Sequence, residues 1–196
     1  GRTGSKLEAV YDDIEQAGGP KPAIVELDLA EATEQNCQNL AQQLAAEFGQ
    51  LHGLLHNAGI LGERRPIESA GYAEWQRVMQ VNVNAQFLLT RYLLPLLQAA
   101  PSASVIFTSS GVGRTGKAFW GAYAVSKFAT EGLVQVLASE LENTSRIRVN
   151  CINPGATNTA MRRAAYPAEH PTSNPSAEDI MGAYLFLMGD DSLGVS

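Results

Sequence analysis

The sequence predicts an α/β fold, in which helices cover both faces of a parallel sheet, and three observations support this. Short apolar segments alternate along the chain with segments of helical periodicity. The short segments are rich in β-branched residues and do not alternate apolar with polar, which is typical of strands buried on both faces. The chain has 196 residues, of which 45% are hydrophobic. We therefore expect residues 1–196 to form a single domain with a sizeable core.

In the first half of the chain, two helices and two strands are predicted in alternation. Ser5-Lys6-Leu7-Glu8 has the form of a capping box, and the helix that follows is predicted to end at Gly18. Residues 23–29 are predicted to form a strand. A second helix carries an apolar stripe and ends at Gly49, and residues 51–56 form the next strand.

The second half continues this alternation. Residues 73–99 are predicted to be helical, with a kink or break at Pro95. Residues 104–108 form a strand, 122–142 a helix and 147–152 a further strand. Residues 162–175 contain three prolines and are predicted to be a loop or a mobile flap. The last helix is expected to start at Ser176 and to end near Gly189.

Charge and composition argue against several classes of protein. There are 14 basic and 20 acidic residues, a net charge of −6. A protein that binds nucleic acid or an anionic membrane usually has an excess of basic residues, which this sequence lacks. Neither nucleic acid nor a membrane is therefore expected as a partner. No apolar run reaches the roughly 18 residues of a membrane span, and a cytoplasmic location is expected. Cys37 and Cys151 are interpreted as buried thiols, and no metal site is predicted.

Small and polar residues follow four of the predicted strands. The carboxyl ends of parallel strands meet at one edge of a sheet, where ligands bind in the crevice. Any single cluster could instead serve the turn that follows the strand, but four together favour a ligand site. The clusters are Asp28, Asn57-Ala58-Gly59, Ser109-Ser110 and Asn153-Pro154-Gly155.

Tyr123 and Lys127 lie four residues apart near the start of a predicted helix, so both side chains can face one cleft. An unperturbed tyrosine has a pKa of about 10, and a nearby ammonium favours its phenolate form. The pair alone is common on helix surfaces. Ser110 lies thirteen residues before Tyr123 and can hydrogen-bond a substrate oxygen, with Ser109 as the less favoured alternative.

The order and spacing of these motifs resemble the short-chain dehydrogenase/reductase family over essentially the whole chain. The remaining motifs are Asn82 within Val-Asn-Val, and Pro154-Gly155 followed by Thr159. The resemblance implies a Rossmann-like, doubly wound, three-layer α/β/α fold. It also implies hydride transfer between a nicotinamide cofactor and a carbonyl or secondary alcohol. A small-molecule substrate and a homodimer or homotetramer are expected on the same ground.

The resemblance also implies roles for individual residues. Tyr123 would be the general acid/base, and Lys127 would lower its pKa and hold the nicotinamide ribose. Ser110 would orient the reacting oxygen, and Asn82 would place a water beside Lys127. Asn82 could instead cap or bend its helix. The cofactor would contact Tyr123 and Lys127 together with Arg2, Asp28, Leu29, Asn57, Ala58, Gly59, Pro154, Gly155, Thr157 and Thr159.

Two neighbours of these motifs have open interpretations. His56 stands where the family more often has asparagine, and it is interpreted as a histidine at the end of a strand rather than as a ligand. Phe119 and Trp120 precede Tyr123 and could form either a wall of the substrate pocket or a packing contact. The residues after Pro154-Gly155, about 160–175, are expected to set substrate specificity.

NADP is the expected cofactor, with NAD less favoured. Members that bind NAD place an acid at the end of the second strand. At the apparent position here stands Gly1, followed by Arg2, whose guanidinium suits a 2′-phosphate. Arg2 could instead be solvated, and residues upstream could hold an acid that reverses the preference.

The family's glycine-rich turn, its first βαβ unit and its last strand are not found in the sequence. We therefore expect the 196 residues to be an internal segment of a longer chain. The strand at 23–29 should stand apart from the main sheet or pair with another chain. Two further functions stay open at this point: a cofactor-free binding or regulatory protein, and a lyase or epimerase that uses the same tyrosine and lysine.

Overall fold

The computed structural model describes residues 1–196, excepting the side chain of Pro171. Its sheet has three parallel strands, β1 (Gly53–His56), β2 (Ala103–Thr108) and β3 (Ile147–Ile152), in the order β1-β2-β3. His56 pairs with Phe107, and Thr108 pairs with Ile152. The three carboxyl ends therefore lie side by side at one edge, as the sequence predicts.

Seven α-helices accompany the described strands. They are α1 (Gly4–Gln16), α2 (Glu34–Phe48), α3 (Tyr72–Met79), α4 (Ala85–Ala99), α5 (Gly121–Leu141), α6 (Ala160–Ala165) and α7 (Met181–Met188). A π-helical turn, Gln80–Asn84, joins α3 to α4. Short 3-10 turns lie at Ile67–Ser69, Gly111–Gly113, Pro171–Ser173, Glu178–Ile180 and Asp190–Ser192.

Helices cover both faces of the sheet. Val105 and Phe107 of β2 pack with residues of α4 and α5, such as Leu97 and Val134, in the larger core cluster. Ile106 points to the opposite face and packs with Tyr184 of α7 in a separate cluster. Successive side chains of a strand point to opposite faces, so the run of apolar residues in β2 fits a strand buried on both sides. This confirms the predicted three layers.

Residues 23–29 are not a strand of this sheet, although the sequence predicts one there. The segment is connected to the start of the chain instead: the Leu27 amide donates to the Gly1 carbonyl at 2.7 Å, and the Gly1 amine donates to the Val25 carbonyl at 3.2 Å. Two such bonds do not make a ladder. A β-strand is defined by its partner strand as much as by its own sequence, and β1 does not supply that partner.

The long helical region departs from the expectation at Pro95. This residue lies inside α4, and the irregularity falls instead in the π-helical turn at Gln80–Asn84. The missing N–H of a proline removes one hydrogen bond from a helix, and α4 accommodates that loss. The predicted break at Pro95 is therefore wrong.

Three helix starts also differ from the sequence prediction. Helix α1 has Thr3 at its N-cap with no side-chain hydrogen bond, so Ser5 does not form the predicted capping box. Residues 162–175 are not loop throughout, because Thr159 accepts a bond from the Arg162 amide and starts α6. Ser176 and Asp179 do cap one another, but the first turn after them is 3-10 and α7 begins at Met181.

Candidate active site

A cavity of about 560 Å³ opens at the carboxyl edge of the sheet. The turns that follow β1, β2 and β3 form its floor, and the start of α5 and the α6 segment form its walls. This is the crevice position expected for a parallel sheet. The predicted site residues that line it are Asn57, Ala58, Gly59, Ser110, Tyr123, Lys127, Pro154, Gly155, Thr157 and Thr159.

Tyr123 is buried in the first turn of α5, where it lines the cavity beside Ser110. Burial raises the pKa of Tyr123 above its ordinary value of 10.0, and a hydrogen bond from Ser110 acts in the opposite direction. The phenol is therefore protonated at neutral pH. Ser109 is 3% exposed and stands close to Cys151 at the neighbouring strand end, so the geometry favours Ser110 as the partner of Tyr123.

Lys127 lies one helical turn after Tyr123, and its ammonium is 5.6 Å from the centre of the Tyr123 ring. The same ammonium donates to the Thr108 carbonyl at 2.7 Å. Burial lowers the pKa of Lys127 to about 8, because the low-dielectric surroundings disfavour the charged form. One ammonium hydrogen of Lys127 is therefore bonded to the Thr108 carbonyl at the end of β2, and the other two can be donated to a ligand in the cavity.

Asn82 is fully buried in the π-helical turn and does not line the cavity. Its Nδ2 donates to the Ile60 carbonyl at 2.9 Å and to the Ser126 hydroxyl at 3.0 Å, and its Oδ1 accepts from the Ile60 amide at 2.8 Å. Both amide hydrogens are therefore used. Asn82 ties the loop after β1 to α5, and its predicted role in placing a water stays a prediction.

Glycine permits two close approaches around these groups. A Cβ on Gly113 would lie 2.9 Å from the backbone and Cβ of Lys127, so the turn after Ser110 packs directly on α5. A Cβ on Gly59 would lie 3.3 Å from Asn82 Oδ1 and 3.7 Å from the Lys127 ammonium. Side chains at either position would push apart the segments that carry Ser110, Tyr123 and Lys127.

Three predicted cofactor contacts lie outside the cavity, namely Arg2, Asp28 and Leu29. Arg2 and Asp28 lie near one another, with a guanidinium nitrogen 3.9 Å from the carboxylate and both side chains largely exposed. Because Gln80 donates to the Leu29 carbonyl at 3.4 Å, this segment is attached to the helical layer beside the sheet. The structure therefore brings together the expected nicotinamide end of the site but not these three residues.

The described residues suit the nicotinamide portion of a cofactor. Thr157 Oγ1 is buried in the wall of the cavity without a hydrogen-bond partner in the protein, and such an atom calls for a polar partner. Gly155 has a φ of 72°, a conformation that lets the backbone turn tightly beside the cavity. Among the described residues, no group of three or more His, Cys, Asp or Glu side chains could hold a metal ion.

Several lining residues lie outside the catalytic and cofactor-binding motifs of the sequence. Tyr184 reaches the cavity from α7, and its hydroxyl is 3.1 Å from Thr108 Oγ1. Met161 and Ala165 of α6 form the outer wall. Trp120 lines the cavity as well, which fits the pocket-wall interpretation, whereas Phe119 is exposed with a φ of 70°. No spacing rule connects these residues, because they come from elements far apart in sequence.

His56 packs behind the cavity instead of lining it. The ring is buried, lies 4.5 Å from the Phe107 ring, and approaches Thr90 Oγ1 at 2.8 Å through Nε2. Burial lowers the pKa of His56 to about 4, so the ring is neutral at neutral pH. This fits a structural histidine at the end of β1.

Comparison with known proteins agrees with this geometry. Residues 1–170 match the family described as short chain dehydrogenase. The chain is 54% identical over 192 residues to the uncharacterized oxidoreductase YciK of Escherichia coli strain K12, covering 98% of this chain and 75% of that protein.

None of the described helices has the length and hydropathy needed to cross a membrane.

Solved structures give the same result. A chain from Pseudomonas syringae, assigned to the short chain dehydrogenases, superposes with a TM-score of 0.98 at 56% identity, covering all of this chain and 79% of its own. A chain from Shigella flexneri 2a str. 301, solved in complex with NADP, gives a TM-score of 0.96 at 52% identity and covers 100% and 81% of the two chains. The chain therefore belongs to the short-chain dehydrogenase/reductase family and is an oxidoreductase of that family.

Proposed function

We propose that the protein transfers a hydride between NADP(H) and a carbonyl or secondary alcohol, with Tyr123 as the general acid/base. The observation that carries this proposal is the convergence of Ser110, Tyr123 and Lys127 on one cavity. A binding module has no need for an acid, an oxygen-orienting hydroxyl and a buried ammonium in the same crevice. The same arrangement argues against the cofactor-free alternative.

Tyr123 supplies the proton in the direction of carbonyl reduction. The bound cofactor supplies the hydride, and the oxygen that gains negative charge needs a proton donor within hydrogen-bond reach. The phenol is protonated at neutral pH, since an ordinary tyrosine pKa is 10.0 and burial raises the pKa of Tyr123 further. Ser110 lies beside Tyr123 and holds the same oxygen in place. Alcohol oxidation uses the two residues in reverse.

Lys127 and Asn82 support this step. With a pKa of about 8, Lys127 is mostly protonated at neutral pH and can donate to a ribose hydroxyl. Its ammonium, 5.6 Å from the Tyr123 ring centre, favours the phenolate after the proton has left. Asn82 fixes the turn that carries Gly59 against α5.

The preference for NADP rests on two independent observations. The similar Shigella flexneri chain was solved in complex with NADP. In this chain Arg2 presents an exposed guanidinium beside Asp28, and a guanidinium binds a 2′-phosphate through charge-assisted hydrogen bonds. The nicotinamide end of the cofactor would be held by the lining residues named above, among them Pro154, Thr157 and Thr159.

A homo-oligomer and a cytoplasmic location complete the proposal. Helices α4 and α5 leave large apolar side chains exposed, namely Phe87, Val125, Phe128 and Val136. Exposed apolar surface of this kind is typical of an interface between subunits. Cys37 and Cys151 are free thiols, which suits a reducing compartment.

The test is turnover by the full-length protein with Tyr123→Phe. We expect carbonyl reduction with NADPH to fall by about 10²–10⁴-fold, the range for losing a general acid, while NADPH affinity stays within about twofold of wild type. Lys127→Ala should lower both turnover and NADPH affinity. Near-wild-type turnover in Tyr123→Phe would refute the mechanism. Product formation without net NADPH consumption would indicate the lyase or epimerase alternative.

A further inference from the structure

Three cationic side chains surround two aromatic rings at the outer wall of the cavity. Arg64, from the loop after β1, places its guanidinium carbon 4.7 Å from the Trp120 ring centre and 5.1 Å from that of Tyr166. The Lys117 ammonium is 5.9 Å and 5.5 Å from the same two centres. Arg162 stacks on Tyr166 at 3.9 Å. We call these five residues the cationic cluster.

The charges of the cluster are only partly neutralised. Glu169 binds Arg162 through two hydrogen bonds of 2.6 Å, and this bidentate pair accounts for one of the three positive charges. Within the described structure, no carboxylate pairs with Arg64 or Lys117. Two uncompensated cations therefore stand together at one place on a chain with a net charge of −6.

Both cations hold neutral partners that leave most of their donors unused. Arg64 donates through Nη1 to the Ala165 carbonyl, and Lys117 donates to the Tyr166 hydroxyl at 3.1 Å. A guanidinium has five N–H donors and an ammonium has three. Both side chains are exposed. They can therefore form charge-assisted hydrogen bonds to an incoming anion without losing their present contacts.

The cluster borders the cavity on the side of the proposed general acid. Trp120 and Ala165, which Arg64 contacts, both line the cavity. The Trp120 ring centre is 5.8 Å from that of Tyr123. Arg162 of the cluster lines the cavity itself, and Arg64 and Lys117 are exposed beside the lining residue Trp120. The cavity wall around Tyr123 and Trp120 is largely apolar, with Leu61 and Met161 as further members.

We propose that the substrate carries a carboxylate, held by Lys117 and Arg64, at the end of an apolar body whose other end presents the reacting carbonyl to Tyr123. The substrate class is thus an oxo-acid or hydroxy-acid in which several carbon atoms separate the two groups. The planar fork of Arg64 suits the two oxygens of a carboxylate. This inference rests on the proposed function, since it places the reacting carbon beside Tyr123.

The test is equilibrium binding to the full-length protein loaded with NADP⁺, which cannot reduce a ketone. The probes are 4-oxocyclohexanecarboxylate and its methyl ester, which share the ketone and ring and differ in charge. Isothermal titration calorimetry should show the acid binding at least tenfold more tightly than the ester. Lys117→Gln and Arg64→Gln should each remove most of this preference and leave ester binding within about twofold.

The control variant is Arg163→Gln. Arg163 lies on the same helix as Arg162, but its guanidinium donates to Asn158 at 2.8 Å and is absent from the cluster. We expect its preference for the acid to match wild type. Equal affinity for acid and ester, binding of neither, or an equal loss in Arg163→Gln would each overturn the inference.

Failure of the proposed function has a different signature. It is measured by NADPH-dependent turnover and by Tyr123→Phe, neither of which enters the binding experiment. If the protein reduces neutral ketones but binds the acid and the ester equally well, the proposed function stands. The inference that the cationic cluster binds the substrate is then refuted.

Discussion

Replacement of Lys127 by methionine should stabilise the fold while it removes activity. Lys127 has a pKa of about 8 in the folded protein against an ordinary value of 10.5. A difference of about 2.5 corresponds to about 3 kcal/mol that folding loses by burying the charged form. Methionine avoids this loss and has similar length. The lost hydrogen bond from the ammonium to the Thr108 carbonyl offsets about 1.5–3 kcal/mol. A net gain of up to about 2 kcal/mol at pH 7 follows.

The gain should depend on pH in a defined direction. Between pH 8 and 10.5 the unfolded chain binds more protons at Lys127 than the folded protein does, so wild-type stability from this group rises with pH. Below pH 8 the loss is fully present, and above 10.5 it is absent. The advantage of Lys127→Met should therefore shrink through this window.

The measurement is urea denaturation of the full-length protein without cofactor at pH 7, 8, 9 and 10. At pH 7 the melting temperature should also rise, by up to about 8 °C, taking about 2–4 °C per kcal/mol for a chain of this size. Lys6→Met, an exposed lysine on α1, is the matched control and should show no such pH dependence. A Lys127→Met variant that is less stable than wild type at pH 7, or whose advantage does not change with pH, would refute the reasoning.

Two further changes test the packing and the cofactor preference. Gly113→Ala should destabilise the full-length protein by about 1–3 kcal/mol in thermal denaturation and lower its turnover, because the new Cβ would lie 2.9 Å from the Lys127 backbone. Gly116→Ala is the control: a Cβ at this position of the same loop has no atom within 4 Å, so neither stability nor turnover should change. Equal effects of the two variants would disprove the contact argument. Arg2→Ala should weaken NADP binding by about 1–3 kcal/mol in calorimetry and hardly change NAD binding. Equal losses for both cofactors would show that Arg2 does not bind the phosphate.

The strands that the sequence predicts best are those that pair with one another in the sheet. Residues 147–152 are a strand over the predicted range, and residues 104–108 differ from β2 by one residue at the start. Residues 23–29 have comparable apolar character but no strand beside them in the sheet. The local sequence indicates only whether a segment prefers an extended backbone. A β-strand also needs hydrogen bonds to a second strand, and the periodicity of the sequence does not identify that partner.

The proposed catalytic residues could be identified because their spacing is local. Tyr123 and Lys127 share one helical face, and Ser110 lies two residues after the end of the preceding strand, β2. Asn82 could be named but not placed. Its buried position depends on a π-helical turn, and such turns have no composition that distinguishes them from ordinary helix. Its three hydrogen bonds to Ile60 and Ser126 hold the irregular turn against the loop after β1 and against α5, whereas α4 is continuous at Pro95.

The residues that would distinguish one substrate from another have no local spacing at all. Arg64, Lys117 and Tyr166 come from three loops or loop ends and meet through side-chain contacts over the cavity. Arg64 and Lys117 look like ordinary surface residues in sequence, because exposed cations are common on protein surfaces. Tyr166 lies in the segment 160–175, which the sequence predicts to set specificity without indicating this contact. Their joint position depends on α5 and α6 approaching each other across the carboxyl edge of the sheet. Under the proposed function, the sheet and α5 would place the groups that react, and the loops around Trp120 would decide which molecule can reach them.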